Sequence, residues 1–188
     1  MNSSELLKVK NLRAGYGAPV VGPVSFSIEE GHIIGLGGAN GSGKSTILKA
    51  ITGAAKVFEG AVLKAPHALI THHWQRPEKP PELALLGREL FTLLGADKKK
   101  TSARIKPLLD MPLNLLSGGQ FQLLQTAACL ASPANLVLLD EPTNNLDGDA
   151  INELTTLLKN HDSHRSVILV SHEKLFLEEN CERIIELP

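Results

Sequence analysis

Alternating apolar and polar positions near the start of the chain predict the first elements of a sheet. Residues 20–30 alternate between apolar and polar side chains, which is the period of a half-buried strand. Residues 33–36 form a short apolar stretch that leads into a glycine-rich loop. The segment after this loop, residues 45–52, is compatible with a helix that stops at Gly53. The expected order is therefore strand, loop, helix.

Unbroken apolar stretches further along the chain predict buried strands. Residues 136–139 and 167–170 are apolar at every position, as expected for strands covered on both faces, and residues 68–71 are interpreted as another strand. Apolar residues between positions 151 and 158 recur on one face of a predicted helix. Alternation of strands and helices indicates a mainly parallel α/β sheet.

Composition changes between residues 76 and 116, where prolines, leucine-rich helical stretches and basic residues accumulate. We interpret residues 76–121 as a small helical subdomain inserted into an α/β core made of residues 1–75 and 122–188. Four leucines with helical spacing fit either a docking stripe for a partner helix or ordinary core packing. These leucines are Leu83, Leu86, Leu90 and Leu94.

Length and charge narrow the functional classes. A chain of 188 residues, 43% of them apolar, corresponds to one globular domain with a sizeable core. The formal net charge of −1 gives little support to a nucleic-acid partner, so no direct nucleic-acid binding is expected. No secretory signal precedes the first predicted strand, which favours a cytoplasmic location.

The glycine-rich loop carries the strongest local signal for chemistry. It fits the pattern G-x-x-x-x-G-K-[ST] and lies between a predicted strand and a predicted helix, where a phosphate-binding loop belongs. Backbone N–H groups at the helix start can point at phosphates, while Lys44 can reach the β and γ phosphates and Ser45 can ligate Mg²⁺. The candidate nucleotide-binding residues here are Gly38, Asn40, Gly41, Ser42, Gly43, Lys44, Ser45 and Thr46.

Polar residues follow three predicted strands at the edge of the sheet where open α/β folds bind ligands. Asp140 and Glu141 follow residues 136–139 directly, and one carboxylate near Mg²⁺ with one near the γ-phosphate would hold the metal and polarise an attacking water. His172 lies two residues after another strand and can hydrogen-bond the γ-phosphate or the water. Gln75 could reach Mg²⁺ and the water, or serve as a plain hinge residue.

A second glycine-containing turn precedes a predicted helix at residues 121–131. Its candidate anion-binding residues are Ser117, Gly118, Gly119 and Gln120, and the alternative is a helix capped by serine. Because the first loop would cradle one ATP fully, we expect this turn to face a nucleotide held by another copy of the chain. Tyr16 could stack on adenine or cover the core. His72 and His73 are interpreted as ordinary surface or core histidines.

In order, these motifs resemble the ATP-binding cassette ATPases over nearly the whole chain. The motifs are GxxxxGKS at residues 38–45, Gln75, LSGGQ at residues 116–120, LVLLDEP at residues 136–142, NNLD at residues 144–147 and SH at residues 171–172. LSGGQ, called the signature below, discriminates cassettes from other NTPases. The resemblance implies a P-loop NTPase (RecA-like) core, an antiparallel β subdomain near the N-terminus and a small helical signature subdomain.

The resemblance also implies roles and partners. Two chains would form a head-to-tail homodimer with two MgATP molecules between the phosphate loop of one and the signature of the other. Tyr16 would stack on adenine, and Ser45, Gln75 and Asp140 would surround Mg²⁺. Glu141 would be the general base and His172 the γ-phosphate switch, with Gln75 also at the catalytic site.

Two functions compete under this resemblance. In the first, the chain is the ATPase subunit of a transporter, held at the inner face of the cell membrane by a separate transmembrane subunit. In the second, it is a non-transport cassette like the ribosome-associated F subfamily, whose DEPTNHLD segment is similar to residues 140–147. We favour transport. The interval between Lys44 and Ser117 looks short for the family, which predicts a trimmed helical subdomain.

Overall fold

A computed structural model of the chain describes residues 4–74, 85–160 and 162–187. The strands are β1 (Glu5–Gly15), β2 (Pro19–Glu29), β3 (Ile33–Gly37), β4 (Lys56–Lys64), β5 (Ile70–His73), β6 (Leu136–Asp140), β7 (Ser166–Val170) and β8 (Arg183–Glu186). The α-helices are α1 (Lys44–Thr52), α2 (Gly87–Leu93), α3 (Gly118–Ala131), α4 (Gly148–Lys159) and α5 (Lys174–Asn180). Short 3₁₀ helices occur at Lys98–Lys100, Lys106–Asp110 and Leu113–Leu115.

Two sheets form the framework. A three-stranded antiparallel sheet has the order β2-β1-β4, and a five-stranded parallel sheet has the order β5-β6-β7-β3-β8. Because the five strands are parallel, their carboxyl ends meet at one edge. That edge receives the residues that follow β3, β5, β6 and β7.

Each face of the parallel sheet has its own hydrophobic cluster. One cluster joins the antiparallel sheet and α1 to the sheet through residues such as Leu12, Ile47 and Leu138. The other joins α3, α4 and the helical segment to the opposite face through residues such as Phe91 and Leu139. The alternation of side-chain direction along each strand produces this division, since Leu138 and Leu139 belong to different clusters.

The sequence-based fold prediction is confirmed: a mainly parallel α/β sheet is present together with an antiparallel sheet and several helices. The left-handed conformation of Gly53, with φ of 84°, ends α1 where it was expected to end. The predicted division of the chain at residue 121 falls inside α3. None of the helices in the described ranges combines the length and the hydrophobicity needed to cross a bilayer.

The carboxyl end of α3 is fixed by a buried arginine. The guanidinium of Arg165 donates hydrogen bonds to the carbonyl oxygens of Leu130, Ser132 and Ala134. Arg165 is buried, and burial lowers its pKa while Asp162 raises it. The bonds to Leu130 and Ser132 satisfy carbonyl groups that the helix end leaves without intrahelical partners, and the bond to Ala134 holds the loop that follows.

Candidate functional site

The phosphate loop connects β3 to α1 at the carboxyl edge of the parallel sheet. Gly41 and Gly43 have φ angles of 86° and 95°, a left-handed conformation that disfavours any side chain with a Cβ. A Cβ at Gly43 would also lie 2.4 Å from the Cβ of Val21. The sequence therefore needs glycine at this position for both backbone conformation and space.

The first turn of α1 is suited to an anion. It contains no acidic residue, and its N-cap residue, Gly43, has no side chain that could occupy the amino end. The buried Lys44 side chain lies across the loop, where its Nζ donates to the carbonyl oxygens of Gly38 at 2.7 Å and Ala39 at 2.9 Å. The helix start and the ammonium group together concentrate positive charge at the loop.

A cleft of about 480 Å³ opens beside this loop. Its volume falls within the range of small-molecule sites. The predicted residues that line it include Lys44, Ser45, Glu141 and His172. The cleft is also lined by Asn144, which belongs to the NNLD motif.

Ser45, which lines the cleft, contacts the buried Asp140. The Ser45 hydroxyl donates to Asp140 Oδ1 at 2.9 Å, although the two residues are 95 positions apart. Asp140 is only 1% exposed, and this burial raises its pKa to about 6. The charge of Glu141 adds to the rise, while the Ser45 hydrogen bond and the charges of Lys49 and Lys44 oppose it.

This oxygen pair fits Mg²⁺ by its chemistry. A hydroxyl and a carboxylate are hard oxygen ligands, which Mg²⁺ prefers, and both come from residues that the sequence pattern assigned to the metal. The third predicted metal and catalytic residue, Gln75, lies outside the described residues. Within the described residues, no cluster of three or more histidine, cysteine or acidic side chains forms another candidate metal site.

Glu141 and His172 form the second pair in the cleft. His172 Nδ1 lies 2.8 Å from Glu141 Oε2, and the backbone N–H of His172 donates to the same oxygen at 3.3 Å. Glu141 is 3% exposed, and its backbone has a φ of 48°, in the left-handed region. The carboxylate is therefore fixed in one direction beside the phosphate loop.

Gln122 is a contributor to this arrangement that sequence reasoning missed. Its side-chain Nε2 donates to the carbonyl oxygen of Glu141 at 3.1 Å, from within α3. Gln122 is buried among the apolar residues of that helix. The available signal was a glutamine between Phe121 and Leu123 in the predicted helix, because a buried amide requires a hydrogen-bond partner.

The signature residues lie away from the cleft of their own chain. Ser117 caps α3: its hydroxyl accepts from the Gln120 N–H at 3.1 Å, and Gln120 Oε1 accepts from the Ser117 N–H at 2.9 Å. Gly119 passes so close to the next loop that a Cβ there would lie 2.5 Å from the Asn145 carbonyl oxygen. None of residues 117–120 is among the residues that line the cleft.

Tyr16 and the two adjacent histidines occupy different environments. Tyr16 is 53% exposed, and its ring lies 5.7 Å from Lys49 Nζ. The His72 ring packs against Trp74, whereas His73 is buried. Burial lowers the pKa of both histidines to about 4.

Comparison with known proteins places the chain among cassettes. The sequence model of the family described as ABC transporter matches residues 21–144. The ABC transporter ATP-binding protein YfmR of Bacillus subtilis is 33% identical, with 97% of this chain and 36% of the relative covered. ABC transporter F family member 5 of Arabidopsis thaliana is 32% identical, with 97% and 28% covered.

The relatives differ in how much of their own length this chain covers. The zinc import ATP-binding protein ZnuC of Roseobacter denitrificans is 33% identical, with 96% of this chain and 74% of the relative covered. By contrast, the chain spans about a third of the length of the first curated relatives it matches. A solved structure described as the ATP binding subunit of an ABC transporter has the same fold, with a TM-score of 0.80 at 24% identity over 97% of this chain and 85% of that one.

Proposed function

The chain belongs to the ABC transporter family of ATPases, and on this premise we propose that it binds and hydrolyses MgATP as the energising subunit of a membrane transporter. The observation that carries the catalytic part is the contact of 2.8 Å between Glu141 Oε2 and His172 Nδ1 in the cleft beside the phosphate loop. The transporter part is supported by the relative named zinc import ATP-binding protein.

The phosphate loop and Lys44 bind the triphosphate. Backbone N–H groups at the start of α1 donate to phosphate oxygens, and Lys44 exchanges its contacts with the Gly38 and Ala39 carbonyls for the β and γ phosphates. Asn40, Ser42 and Thr46 complete the polar lining of this loop. Tyr16, which is largely exposed, is free to stack on adenine.

Ser45 and Asp140 would hold Mg²⁺, with Gln75 as the further ligand expected from the sequence. When bound, the ion neutralises charge on the β and γ phosphates. Asp140 must be ionised to serve as a ligand, and the charges of Lys49 and Lys44 favour that form.

Glu141 acts as the general base. Its carboxylate accepts a proton from a water molecule whose oxygen attacks the γ-phosphorus, and the products are ADP and phosphate. His172 orients the carboxylate through Nδ1, which leaves Nε2 for the γ-phosphate. Because His172 would contact both the Glu141 carboxylate and the γ-phosphate, it would couple the presence of the γ-phosphate to the position of the base.

The second half of each site would come from another copy. Ser117, Gly118, Gly119 and Gln120 lie outside their own cleft, so they remain available for a nucleotide held by a second chain. In a head-to-tail homodimer around two MgATP molecules, the phosphate-loop cleft of each chain would face the signature of the other. The membrane attachment would come from a separate transmembrane subunit, with the chain peripheral on the inner face of the membrane.

Nucleotide binding is tested by thermal stability. A ligand at about 100 times its dissociation constant adds about 2.7 kcal/mol, which corresponds to a rise in melting temperature of about 5–10 °C. We expect Lys44→Ala to remove most of this rise. Lys159→Ala, which removes an exposed lysine paired with Glu179, should keep it. An equal rise in the Lys44→Ala variant would contradict the phosphate-loop assignment.

A second candidate function is a cassette that acts on ribosomes. It is favoured by the 32% identity to ABC transporter F family member 5 and by the PTNNLD segment. Cell fractionation at native abundance separates the two functions. Release of the protein from the pellet by detergent supports the transporter, while release by ribosome dissociation and not by detergent supports the ribosome-associated function.

A further inference from the structure

Lys49 lies at the edge of the nucleotide site without an assigned role. It is four residues after Ser45 on α1, so the two side chains share one face of the helix. Its half-buried side chain places Nζ 5.7 Å from the centroid of the Tyr16 ring and 6.0 Å from the centroid of the Trp74 ring. Both distances lie within the limit of about 6 Å for cation–π attraction.

The ammonium group has no carboxylate partner to compete with these rings. Among residues 4–74, 85–160 and 162–187, no ion pair includes Lys49. In the described part of the chain, Lys49 Nζ therefore lies near two aromatic rings and forms no ion pair, while its charge also acts on Asp140.

Trp74 extends this contact to the end of β5. It follows the last residue of that strand, is 41% exposed, and its ring centroid lies 3.9 Å from that of His72. We call Tyr16, Lys49, His72 and Trp74 the Lys49 cluster. It joins three parts of the fold: the loop between β1 and β2, helix α1, and the carboxyl end of β5.

The charge of Lys49 also acts on Asp140, which accepts a hydrogen bond from the cleft residue Ser45. The charge of Lys49 lowers the pKa of Asp140 and the pKa of His72. One ammonium group thus acts on the residue proposed to stack on adenine, on a residue proposed to hold the metal, and on the tryptophan next to Gln75.

We propose that Lys49 is a positioning residue that links the Tyr16 ring to the Trp74 ring, so that a nucleotide stacked on Tyr16 changes the surroundings of Trp74. The proposal rests on the proposed function in that ATP binds at this cleft with its adenine on Tyr16. Stacking on Tyr16 alters the contact between that ring and Lys49, and the shared ammonium passes the change to Trp74.

The chain offers a specific readout because Trp74 is its only tryptophan. We expect the tryptophan emission of the wild-type chain to shift as MgATP is added, with the same midpoint as binding measured by calorimetry. In Lys49→Met the emission response should fall to less than about half, and the dissociation constant should rise about 2- to 5-fold, the size of an exposed cation–π contact. Lys49→Arg should preserve both quantities.

A matched control exists on β4. Lys56 Nζ lies 4.9 Å from the Phe58 ring, so Lys56→Met removes the same kind of contact without touching Tyr16 or Trp74. We expect this variant to keep the wild-type emission response. Melting temperatures measured without nucleotide identify any loss of folding. If Lys49→Met is unfolded, the emission responses of Lys49→Arg and Tyr16→Leu provide the test of the proposal.

The coupling to Tyr16 is tested by a double-mutant cycle. If Lys49 acts through the Tyr16 ring, Lys49→Met should not weaken nucleotide binding further in a Tyr16→Leu background. Additive effects of the two substitutions, a full emission response in Lys49→Met, or no response in a wild-type chain that binds MgATP by calorimetry would each overturn the proposal. Absence of calorimetric binding in the wild-type chain would instead overturn the proposed function on which it rests.

Discussion

Glu141 is held by hydrogen bonds at its N–H, at its carbonyl and at one oxygen of its carboxylate. Its N–H donates to the Val170 carbonyl at 2.9 Å, its carbonyl accepts from Gln122, and its carboxylate accepts from His172. Its left-handed backbone costs on the order of 1 kcal/mol, which the surrounding bonds offset. Such fixed geometry suits a base that must meet a water molecule in one direction.

We predict that Glu141→Gln separates binding from hydrolysis. The amide keeps the size of the side chain but cannot accept the proton, so the rate of ATP hydrolysis should fall at least about 100-fold. The increase in melting temperature on addition of MgATP should persist. Phosphate release and thermal stability measured on the same preparation check both expectations.

The matched control is Glu179→Gln, because Glu179 is an exposed carboxylate that pairs with Lys159 on the surface. It should hydrolyse ATP at the wild-type rate. A wild-type rate in Glu141→Gln itself would show that another group activates the water.

Asp140 gives a prediction about pH. Its pKa rises from 3.8 to about 6 in the folded chain, so between these values the folded state binds more protons than the unfolded state. Stability from this group is therefore present at low pH and is lost as pH rises through 6. Without Mg²⁺, we expect a loss of about 1 kcal/mol between pH 5 and 7, or about 3 °C in melting temperature.

Asp140→Asn should lack this pH-dependent contribution to stability. The melting temperature of the variant should therefore rise relative to that of the wild type as pH increases. Asp110→Asn serves as the control because Asp110 is exposed and pairs with Arg88. It should follow the wild-type profile. Parallel wild-type and Asp140→Asn profiles from pH 5 to 7 would refute the assignment.

For single residues, the sequence predicts those that occupy a fixed position in a known motif, even when their partners lie in another motif. Ser45 and Asp140 were assigned to one metal because each occupies a known position, and the hydrogen bond between them agrees. Gln122 and Lys49 were missed because neither belongs to such a motif, and their contacts with Glu141 and with the Tyr16 and Trp74 rings exist only in the folded chain. A side chain whose role depends on a nonlocal partner gives no periodic signal.

Among the strands, those with a clear hydrophobic pattern were predicted and those without one were missed. Strands β3, β6 and β7 are buried on both faces and were recognised from unbroken apolar stretches. Strand β1 was not recognised from its pattern, because register shifts in its pairing with β2 interrupt the alternation. Strand β4 is largely exposed and lacks an apolar face of regular period.

The leucines of the helical segment divide between two roles. Leu90 and Leu94 pack against the hydrophobic core, so the core interpretation is correct for these two. Leu86 is half-buried, and Leu83 lies outside the described residues. Leu93 was not in the predicted stripe, yet it is 72% exposed on α2. An exposed leucine on this segment is the better candidate for contact with a transmembrane subunit.

We predict that Leu93→Glu detaches the protein from membranes without loss of ATPase activity. The substitution places a charge on an exposed surface, so the free energy of unfolding should change by no more than about 0.5 kcal/mol. Membrane association is measured by fractionation of cells that make variant and wild type at matched abundance. Unchanged membrane association would exclude Leu93 from the docking surface.

Leu90→Glu is the contrasting variant on the same helix. Because Leu90 packs against the core, the charge should destabilise the fold by about 2–4 kcal/mol. Reduced melting temperature in Leu90→Glu together with a normal one in Leu93→Glu distinguishes packing from docking.

For the whole molecule, the separation between cleft and signature predicts shared sites. A Lys44→Ala chain mixed with a Ser117→Arg chain can form one intact site, from the phosphate loop of the second and the signature of the first. We expect partial hydrolysis in the mixture when neither variant hydrolyses ATP alone. Wild-type activity per molecule should also rise with protein concentration until the dimer saturates.

Ser117→Ala controls for the lost helix cap. It removes the hydroxyl that accepts from Gln120 N–H, which costs about 1 kcal/mol, but adds no bulk. A melting temperature close to that of Ser117→Arg would show that the arginine acts at the shared site and not through folding. Specific activity that is independent of dilution would argue against shared sites.

The arginine at the far end of α3 has a mechanical consequence. Arg165 fixes the carboxyl end of a helix of 14 residues, about 21 Å long, whose opposite end carries Ser117. With that end as the fulcrum, a tilt of about 5° would displace Ser117 by about 2 Å. A rotation of α3 about the buried guanidinium would therefore change the distance between the signature and a phosphate far more than it changes the contacts of Arg165.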